Sequence, residues 1–299
     1  MHDDEVTLIE VGPRDGLQNE VNFITTKHKI QFINQLSQTG LKRIEVTSLV
    51  SSKAIPQLAD GETVLRMITK KPNVQFSVLV PNMIGMEKAI ALGVQEIAIF
   101  TSASESFNQR NIHCSIAESI QRFIPVTRSA QKHQIRIRAY ISCALGCPYE
   151  GTIMPHTLIP IIEQLLHLGV YEISLGDTIG VGTPKQTTDL IQTLQTYIPL
   201  SKIAMHFHDT YGQAIANIYT ALNQGIRKFD SSVAGLGGCP YARGASGNVA
   251  TEDVLYLLHG LGINTGIDIF KIVNIGDWIC NLLGHNNQSK VANALLGKC

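Results

Sequence analysis

Short apolar runs alternate with stretches of helical periodicity along most of the chain. Four times a helical pattern ends in glycine and a run rich in β-branched or aromatic residues follows, in 39–48, 92–102, 168–177 and 224–233. Glycine readily takes the left-handed conformation that ends many helices, and strands favour β-branched and aromatic residues. The repeat therefore predicts a regular alternation of helices and strands.

Four more apolar runs lie between these segments, in 6–12, 73–81, 135–143 and 202–209, which gives eight candidate strands about 30–40 residues apart. The runs are short and nearly continuously apolar. We therefore expect strands that are buried on both faces, as they are in parallel sheets.

Helical periodicity fills the intervals between the strands, most clearly in 26–38, 157–168 and 183–197. Eight alternating β/α units in a chain of 299 residues predict an α/β fold of the TIM (β/α)8 barrel type. A doubly wound open sheet is the alternative, although the early GxGxxG turn of its dinucleotide-binding form is absent.

The last part of the chain predicts extra C-terminal helices beyond the eighth unit. Helical patterns lie in 252–262 and 267–284, and no Pro-rich or Ser-rich linker separates them from the barrel. We therefore expect a single domain, 1–299, in which 254–299 is a helical appendage packed on the barrel.

Charge and composition argue against several classes of protein. The chain has 24 basic and 24 acidic residues, and no basic stretch that would indicate nucleic-acid binding. No apolar run reaches the roughly 18–20 residues that span a membrane, and the acidic start lacks the features of a signal peptide. Six cysteines are too few for a disulfide scaffold. We expect a soluble cytoplasmic protein with neither a nucleic-acid nor a membrane partner.

Two histidines two residues apart, His206 and His208, are the strongest chemical signal. Alternate residues of a strand point to the same face, so one metal ion could bind both rings. A single histidine in a strand is more often a core residue. The pairing on one face, followed by Asp209, favours a metal site.

Other unusual polar residues also follow candidate strands. Arg14 and Asp15 come after the first strand, Glu45 ends the second, and Asp177 follows the sixth. A TIM barrel carries its chemistry at the C-terminal ends of its strands, so these side chains are expected to meet. The structural alternatives are a salt bridge between Arg14 and Asp15, and a helix cap at Asp177.

A glycine-rich loop, 232–253, follows the eighth strand and contains five glycines as well as Cys239 and Asn248. Such a loop is typical of a mobile lid or of close backbone approach to a ligand. A ligand set of one carboxylate, two imidazoles and one amide would suit Mg²⁺ or Mn²⁺ better than structural zinc.

Five runs of the sequence together resemble the hydroxymethylglutaryl-CoA lyase family, within the metal-dependent lyase and Claisen-synthase superfamily of TIM barrels. These runs are EVGPRDGLQNE (10–20), RIEVTSLVS (43–51), SLGDTIGVGTP (174–184), HFHDTYGQA (206–214) and GLGGCPYARGASGNVATED (235–253). The first and last are the most specific, whereas the HxH run is shared across the superfamily.

The resemblance implies roles for individual residues. The residues implied to hold a divalent cation, Mg²⁺ or Mn²⁺, are Asp15, His206, His208 and Asn248. The residues implied to act in catalysis are Arg14, Asp15, His206 and Cys239. The residues implied to bind substrate or support the site are Gln18, Glu45, Asp177 and Glu252. In this scheme Arg14 faces the thioester oxygen, Asp15 or His206 is the base, and Cys239 transfers a proton.

The reaction implied is metal-assisted retro-Claisen cleavage of 3-hydroxy-3-methylglutaryl-CoA to acetyl-CoA and acetoacetate, in leucine degradation, by a homodimer. A lyase for a related 3-hydroxyacyl-CoA is one alternative. A Claisen-type acyl-CoA synthase or a 2-oxo acid aldolase of the same superfamily is another. A metal-binding barrel that serves only as a binding module is an alternative of a different class.

Overall fold

Eight parallel strands close into a barrel in sequence order in the computed structural model, which describes residues 5–51, 53–238 and 247–297. The strands are β1 Thr7–Glu10, β2 Arg43–Ser48, β3 Gln75–Leu79, β4 Glu96–Ser102, β5 Arg136–Ser142, β6 Glu172–Asp177, β7 Ile203–Phe207 and β8 Lys228–Ser231. The first and last strands pair directly, with Thr7 opposite Lys228 and Glu10 opposite Ser231. This pairing confirms the predicted barrel and excludes the open sheet.

Helices surround the barrel and account for the helical periodicity of the sequence. In the described chain they are α1 Thr26–Leu36, α2 Gly61–Met67, α3 Met83–Ala91, α4 Glu105–Ile112, α5 Ile116–Lys132, α6 Ile159–His167, α7 Pro184–Leu194, α8 Ala214–Asn223, α9 Thr251–Gly260, α10 Ile269–Leu283 and α11 Lys290–Leu295. No helix in the described ranges is both long and apolar enough to cross a membrane.

The glycines that follow the helices have the predicted left-handed backbone. The φ angles of Gly40, Gly93, Gly169 and Gly225 are +100°, +65°, +85° and +99°. At Gly40, a Cβ atom would lie 2.0 Å from the carbonyl oxygen of Gly266. Glycine is therefore required there both for its conformation and for close packing of the chain before α10.

The strands are buried on both faces, as predicted, and the inside of the barrel also carries buried charges. Arg138 of β5 donates to Glu172 of β6 at 2.7 Å and to Asp230 of β8 at 2.6 Å, across the inside of the barrel. All three residues are at most 2% exposed. The buried charges of the inner face were not predicted from the sequence, and they are tolerated there because they are paired.

A second layer of charges lies at the N-terminal ends of the strands. Arg43 donates to Glu172 at 2.9 Å and to Glu96 at 3.3 Å. Arg136 donates to Glu96 at 2.7 Å, and Lys228 lies 2.9 Å from Glu172. This layer ties five strands, β2, β4, β5, β6 and β8, together at the end of the barrel opposite the predicted site.

The C-terminal helices pack on one side of the barrel. Helix α9 follows β8 and packs against α8, so it completes the eighth β/α unit. Helix α10 contacts α1 and α9, and the ring of its Trp278 lies 6.4 Å from that of Phe32 on α1. The helices added to the barrel are therefore α10 and α11, and the boundary at 254 falls within α9. One hydrophobic cluster includes residues of the barrel and of α10, which supports the proposal of a single domain.

Candidate active site

Three side chains from two strand ends converge at the C-terminal mouth of the barrel. Asp15, His206 and His208 each offer a metal-ligand atom, and these atoms lie within 4.8 Å of one another. His206 belongs to β7 and His208 follows it two residues later, as the strand period requires. Asp15 lies in the wide helical turn Gly12–Gly16 directly after β1. The predicted convergence of these three residues is therefore present.

A buried carboxylate contacts the Nδ1 side of the His206 ring. Its Nδ1 lies 3.2 Å from Oδ2 of Asp230, and its Nε2 lies 3.9 Å from Oδ2 of Asp15. The Nε2 atom of His206 therefore faces Asp15. Asp230 was not identified from the sequence.

The ring of His208 has a nitrogen with no protein partner. Its Nδ1 is buried and makes no hydrogen bond to any residue in the described chain. Burial, and then the proximity of His206, lowers the pKa of His208 to about 4, so the ring is neutral at pH 7. A neutral imidazole with a buried, unpaired nitrogen fits a metal ligand, because an unsatisfied buried nitrogen is otherwise costly.

Asn248 reaches the same point from the glycine-rich loop. Backbone hydrogen bonds tie 247–249 to the end of β7. The side-chain nitrogen of Asn248 donates to Oδ2 of Asp15 at 3.0 Å and to the carbonyl oxygen of Leu236 at 3.1 Å. Because the nitrogen is used in this way, the amide oxygen is the atom that Asn248 could offer to a cation.

Arg14 lies beside the three converging side chains, between two carboxylates. Its Nε binds Glu45 and its Nη1 binds Asp15, and the guanidinium carbon lies 5.1 Å from the ring centre of Tyr140. Burial opposes ionisation of Asp15, but the charge of Arg14, the two histidines and the hydrogen bond from Asn248 together outweigh it and hold the pKa of Asp15 well below its usual range. Arg14 supplies the partner that a buried carboxylate such as Glu45 needs.

A run of charge-assisted hydrogen bonds continues from Glu45 across the barrel. The hydroxyl of Tyr140 donates to Glu45 at 2.9 Å and accepts from Nη1 of Arg138 at 2.7 Å. Nη2 of Arg138 then donates to Asp230 at 2.6 Å. The network therefore joins the carboxylate that holds Arg14 to the carboxylate behind His206.

One feature of the sequence does indicate that the inside of the barrel is polar. In the segment RIRAY (136–140), charged and aromatic residues alternate with small or apolar ones inside a strand that had to be buried. Such alternation indicates that one buried face is polar. It does not indicate the partners, since these lie on other strands.

A cavity of about 450 Å³ opens at this mouth. Its polar side includes Arg14, Asp15, His206, His208 and Gln18, the last of which was predicted to contact substrate. The apolar residues of its lining include Val50, Leu79, Phe100, Phe107 and Ile112. The cavity can therefore take a ligand that has both charged and apolar parts.

Comparison with known proteins agrees with this geometry. The family model HMGL-like matches residues 5–279. The chain belongs to the HMGL-like family. It is 55% identical, over 97% of its length and 84% of the relative's, to cytoplasmic 3-hydroxy-3-methylglutaryl-CoA lyase of Rattus norvegicus.

Bacterial matches are similarly close. The chain is 54% identical, over 98% of each sequence, to the 3-hydroxy-3-isohexenylglutaryl-CoA/hydroxy-methylglutaryl-CoA lyase of Pseudomonas aeruginosa. It superposes with a TM-score of 0.97 on the crystal structure of hydroxymethylglutaryl-CoA lyase from Pseudomonas aeruginosa, at 53% identity and 99% coverage of both chains. The resemblance found in the sequence is thus confirmed.

Asp177, which the family resemblance places next to the site, shapes the loop after β6. Its carboxylate accepts from the backbone N–H of Val181 at 3.1 Å and of Gly182 at 2.9 Å. Burial raises the pKa of Asp177 to about 6, against the effect of these hydrogen bonds. Helix α7 is instead capped by Thr183, so the helix-cap alternative for Asp177 is wrong.

Glu252 lies behind the site rather than in the cavity lining. Both of its carboxylate oxygens accept from the backbone N–H of Ala234, at 3.0 and 2.9 Å, where Ala234 has a φ of +60°. Glu10 accepts from the N–H groups of Val233 and Gly12, at 2.9 and 2.8 Å. These two buried carboxylates hold the first turn of the glycine-rich loop.

Cys239 lies in 239–246, outside the described residues, so its role as a proton donor stays a prediction. The chain reaches this segment from the cavity, because Gly238 is one of the lining residues. The carbonyl oxygen of Gly238 accepts from the side-chain nitrogen of Asn19 at 2.7 Å.

The two buried carboxylates predict a pH dependence of stability. Burial raises the pKa of Glu10 to about 7 and that of Glu252 to about 8. Between the unfolded and folded pKa values the folded state binds more protons, so their contribution to stability is lost as the pH rises from about 5 to about 8. Glu252→Gln cannot ionise, and its free energy of unfolding should fall less steeply with pH than that of the wild type.

Urea unfolding of metal-free protein at a series of pH values measures this slope. Glu87→Gln, which removes an exposed carboxylate on α3, serves as the control and should keep the wild-type slope. An unchanged slope in Glu252→Gln would show that this carboxyl does not titrate in the predicted range.

Proposed function

We propose that the protein is a carbon–carbon lyase that cleaves 3-hydroxy-3-methylglutaryl-CoA to acetyl-CoA and acetoacetate. The observation that carries the proposal is the convergence of Asp15, His206 and His208 beside Arg14, in a chain of the HMGL-like family. The names of the relatives support the substrate. From the same resemblance we propose a homodimer that acts in the cytoplasm in leucine degradation.

The proposed cofactor is Mg²⁺ or Mn²⁺. Asp15, His206, His208 and Asn248 would hold it, since carboxylate, imidazole and amide donors together suit such a cation. The unpaired Nδ1 of His208 and the inward Nε2 of His206 support this assignment. When bound there, a divalent cation makes a substrate hydroxyl more acidic and polarises a carbonyl group.

Cleavage of the C2–C3 bond begins with loss of the proton from the C3 hydroxyl. Asp15 or His206, directly or through a water molecule, would be the base. Asp15 is ionised at neutral pH and therefore able to accept a proton, but the charge of Arg14 makes it a weak base. Proton transfer to Asp15 would therefore require a hydroxyl that is already acidified.

Breaking the bond leaves negative charge on C2 and on the thioester oxygen. Arg14 would stabilise this enolate, as donors of an oxyanion hole do. Its Nε and Nη1 are bound to Glu45 and Asp15, so Nη2 is the nitrogen placed to donate to substrate. The two carboxylates thus orient the guanidinium before substrate binds.

Protonation of C2 completes acetyl-CoA, and Cys239 is the proposed donor. A thiol with an ordinary pKa near 8.5 is mostly protonated at neutral pH and can act as an acid. Gly238, which precedes Cys239 in the chain, lines the cavity, and this supports the role.

A lyase for a related 3-hydroxyacyl-CoA is the second candidate. It is favoured by the apolar side of the cavity, which includes Leu79, Phe100 and Phe107. The Pseudomonas relative carries a 3-hydroxy-3-isohexenylglutaryl-CoA lyase name, which points to the same class of branched substrate.

A coupled acetoacetate assay on the purified protein tests the function. We expect acetoacetate from 3-hydroxy-3-methylglutaryl-CoA, loss of activity in EDTA, and recovery with Mg²⁺ or Mn²⁺ because the proposed cation acidifies the hydroxyl. Incubation of acetyl-CoA with 2-oxo acids, as the comparison, should give no condensation product. Absence of acetoacetate would refute the lyase, and full activity in EDTA would refute the metal.

Arg14→Lys should lower kcat on the order of a thousandfold. An ammonium group cannot bind two carboxylates and still present a fixed donor to the enolate oxygen. Arg136→Lys at the opposite end of the barrel is the matched control, and its kcat should stay near that of the wild type. Steady-state kinetics on the folded variants measure this effect. A decrease in kcat smaller than about tenfold in Arg14→Lys would contradict stabilisation of the enolate by Arg14.

A further inference from the structure

The strongest unassigned feature near the site is the carboxylate behind His206. We propose that Asp230 is a positioning residue, which fixes the ring and the tautomer of His206 so that Nε2 faces the cation. This inference rests on the proposed metal site and adds a residue that neither the sequence motifs nor the expected ligand set includes.

The position of Asp230 follows from the barrel itself. In the parallel pair β7 and β8, His206 lies opposite Asp230, so neighbouring strands bring imidazole and carboxylate together. The Nδ1 atom of His206 lies 3.2 Å from Oδ2 of Asp230. Both side chains are at most 10% exposed, so water does not compete strongly for this contact.

Asp230 is itself fixed by two other donors. Nη2 of Arg138 donates to Oδ1 at 2.6 Å, and the hydroxyl of Ser174 donates to Oδ2 at 2.6 Å. Buried against Arg138, the carboxyl stays ionised and can only accept hydrogen bonds. The Nδ1 of His206 must then carry the proton, which leaves the lone pair on Nε2 for a cation.

Carboxylates that accept a hydrogen bond from a metal-bound histidine orient the ring and increase its basicity. In His208 the nitrogen without a partner in the described chain is Nδ1, the proposed ligand atom, and the ring is hydrogen-bonded to the backbone of Thr178 rather than to a carboxylate. The two histidines are therefore not equivalent, and the loss of Asp230 should act through His206 alone.

Arg138 supplies a matched control. It binds Asp230 through Nη2 at 2.6 Å on one side and Glu172 through Nε at 2.7 Å on the other. Asp230→Asn and Glu172→Gln each leave Arg138 without one of its two carboxylate partners. Only Asp230→Asn also changes the group that faces His206.

The experiment measures Mn²⁺ binding to the metal-free protein by electron paramagnetic resonance titration. Asp230→Asn should raise the Kd for Mn²⁺ about 10- to 100-fold, whereas Glu172→Gln should leave it within about threefold. In parallel, ¹⁵N spectra of histidine-labelled apoprotein should show His206 protonated at Nδ1 in the wild type. In Asp230→Asn the same ring should populate the other tautomer, because an amide can also donate to Nδ1.

An unchanged Kd and tautomer in Asp230→Asn, or an equal loss in Glu172→Gln, would overturn the inference while the metal site stands. A wild type that binds no Mn²⁺ would overturn both. Should Asp230→Asn fail to fold, Ser174→Ala removes only one donor to the same carboxylate. It should weaken Mn²⁺ binding severalfold, and no change there would also count against the proposal.

Discussion

The run of buried ion pairs inside the barrel is the constraint on which the site depends. A charge in a water-free interior is tolerated only when a partner and hydrogen bonds compensate for the lost water, and removal of one partner leaves the other uncompensated. Here Arg138 joins Asp230 to Tyr140, and Tyr140 continues to Glu45. The same interaction that keeps the interior intact therefore also fixes the guanidinium and the imidazole at the mouth.

The side chains of the site are held by strands and by a loop. Asp15 follows β1 and His206 lies in β7, and each of these strands pairs with a neighbour on both sides. Asn248 comes from a loop, yet it is tied to β7 through its neighbours and to Asp15 through its side chain. Asn248 therefore connects the glycine-rich loop to the proposed cation site. We expect a change in the conformation of the loop to alter the positions of the metal ligands.

Most of the fold and the converging residues were predictable because their signals are local. A glycine after a helix, such as Gly40, predicts the end of the helix, and an HxH pair in a strand predicts a metal site. Both predictions need only a few neighbouring residues. The partners of Arg138 were not predictable, since they come from strands far apart in sequence and depend on how the barrel closes. Glu252, which the resemblance implied to bind substrate or to support the site, holds a backbone turn behind the cavity.

In the proposed site, four side chains share one divalent cation at the mouth of the barrel. Anomalous diffraction from crystals soaked in Mn²⁺ locates such a cation. We expect a single strong anomalous peak about 2 Å from ligand atoms of Asp15, His206, His208 and Asn248. A fully soaked crystal with no peak between these residues, or with its strongest peak elsewhere, would contradict it.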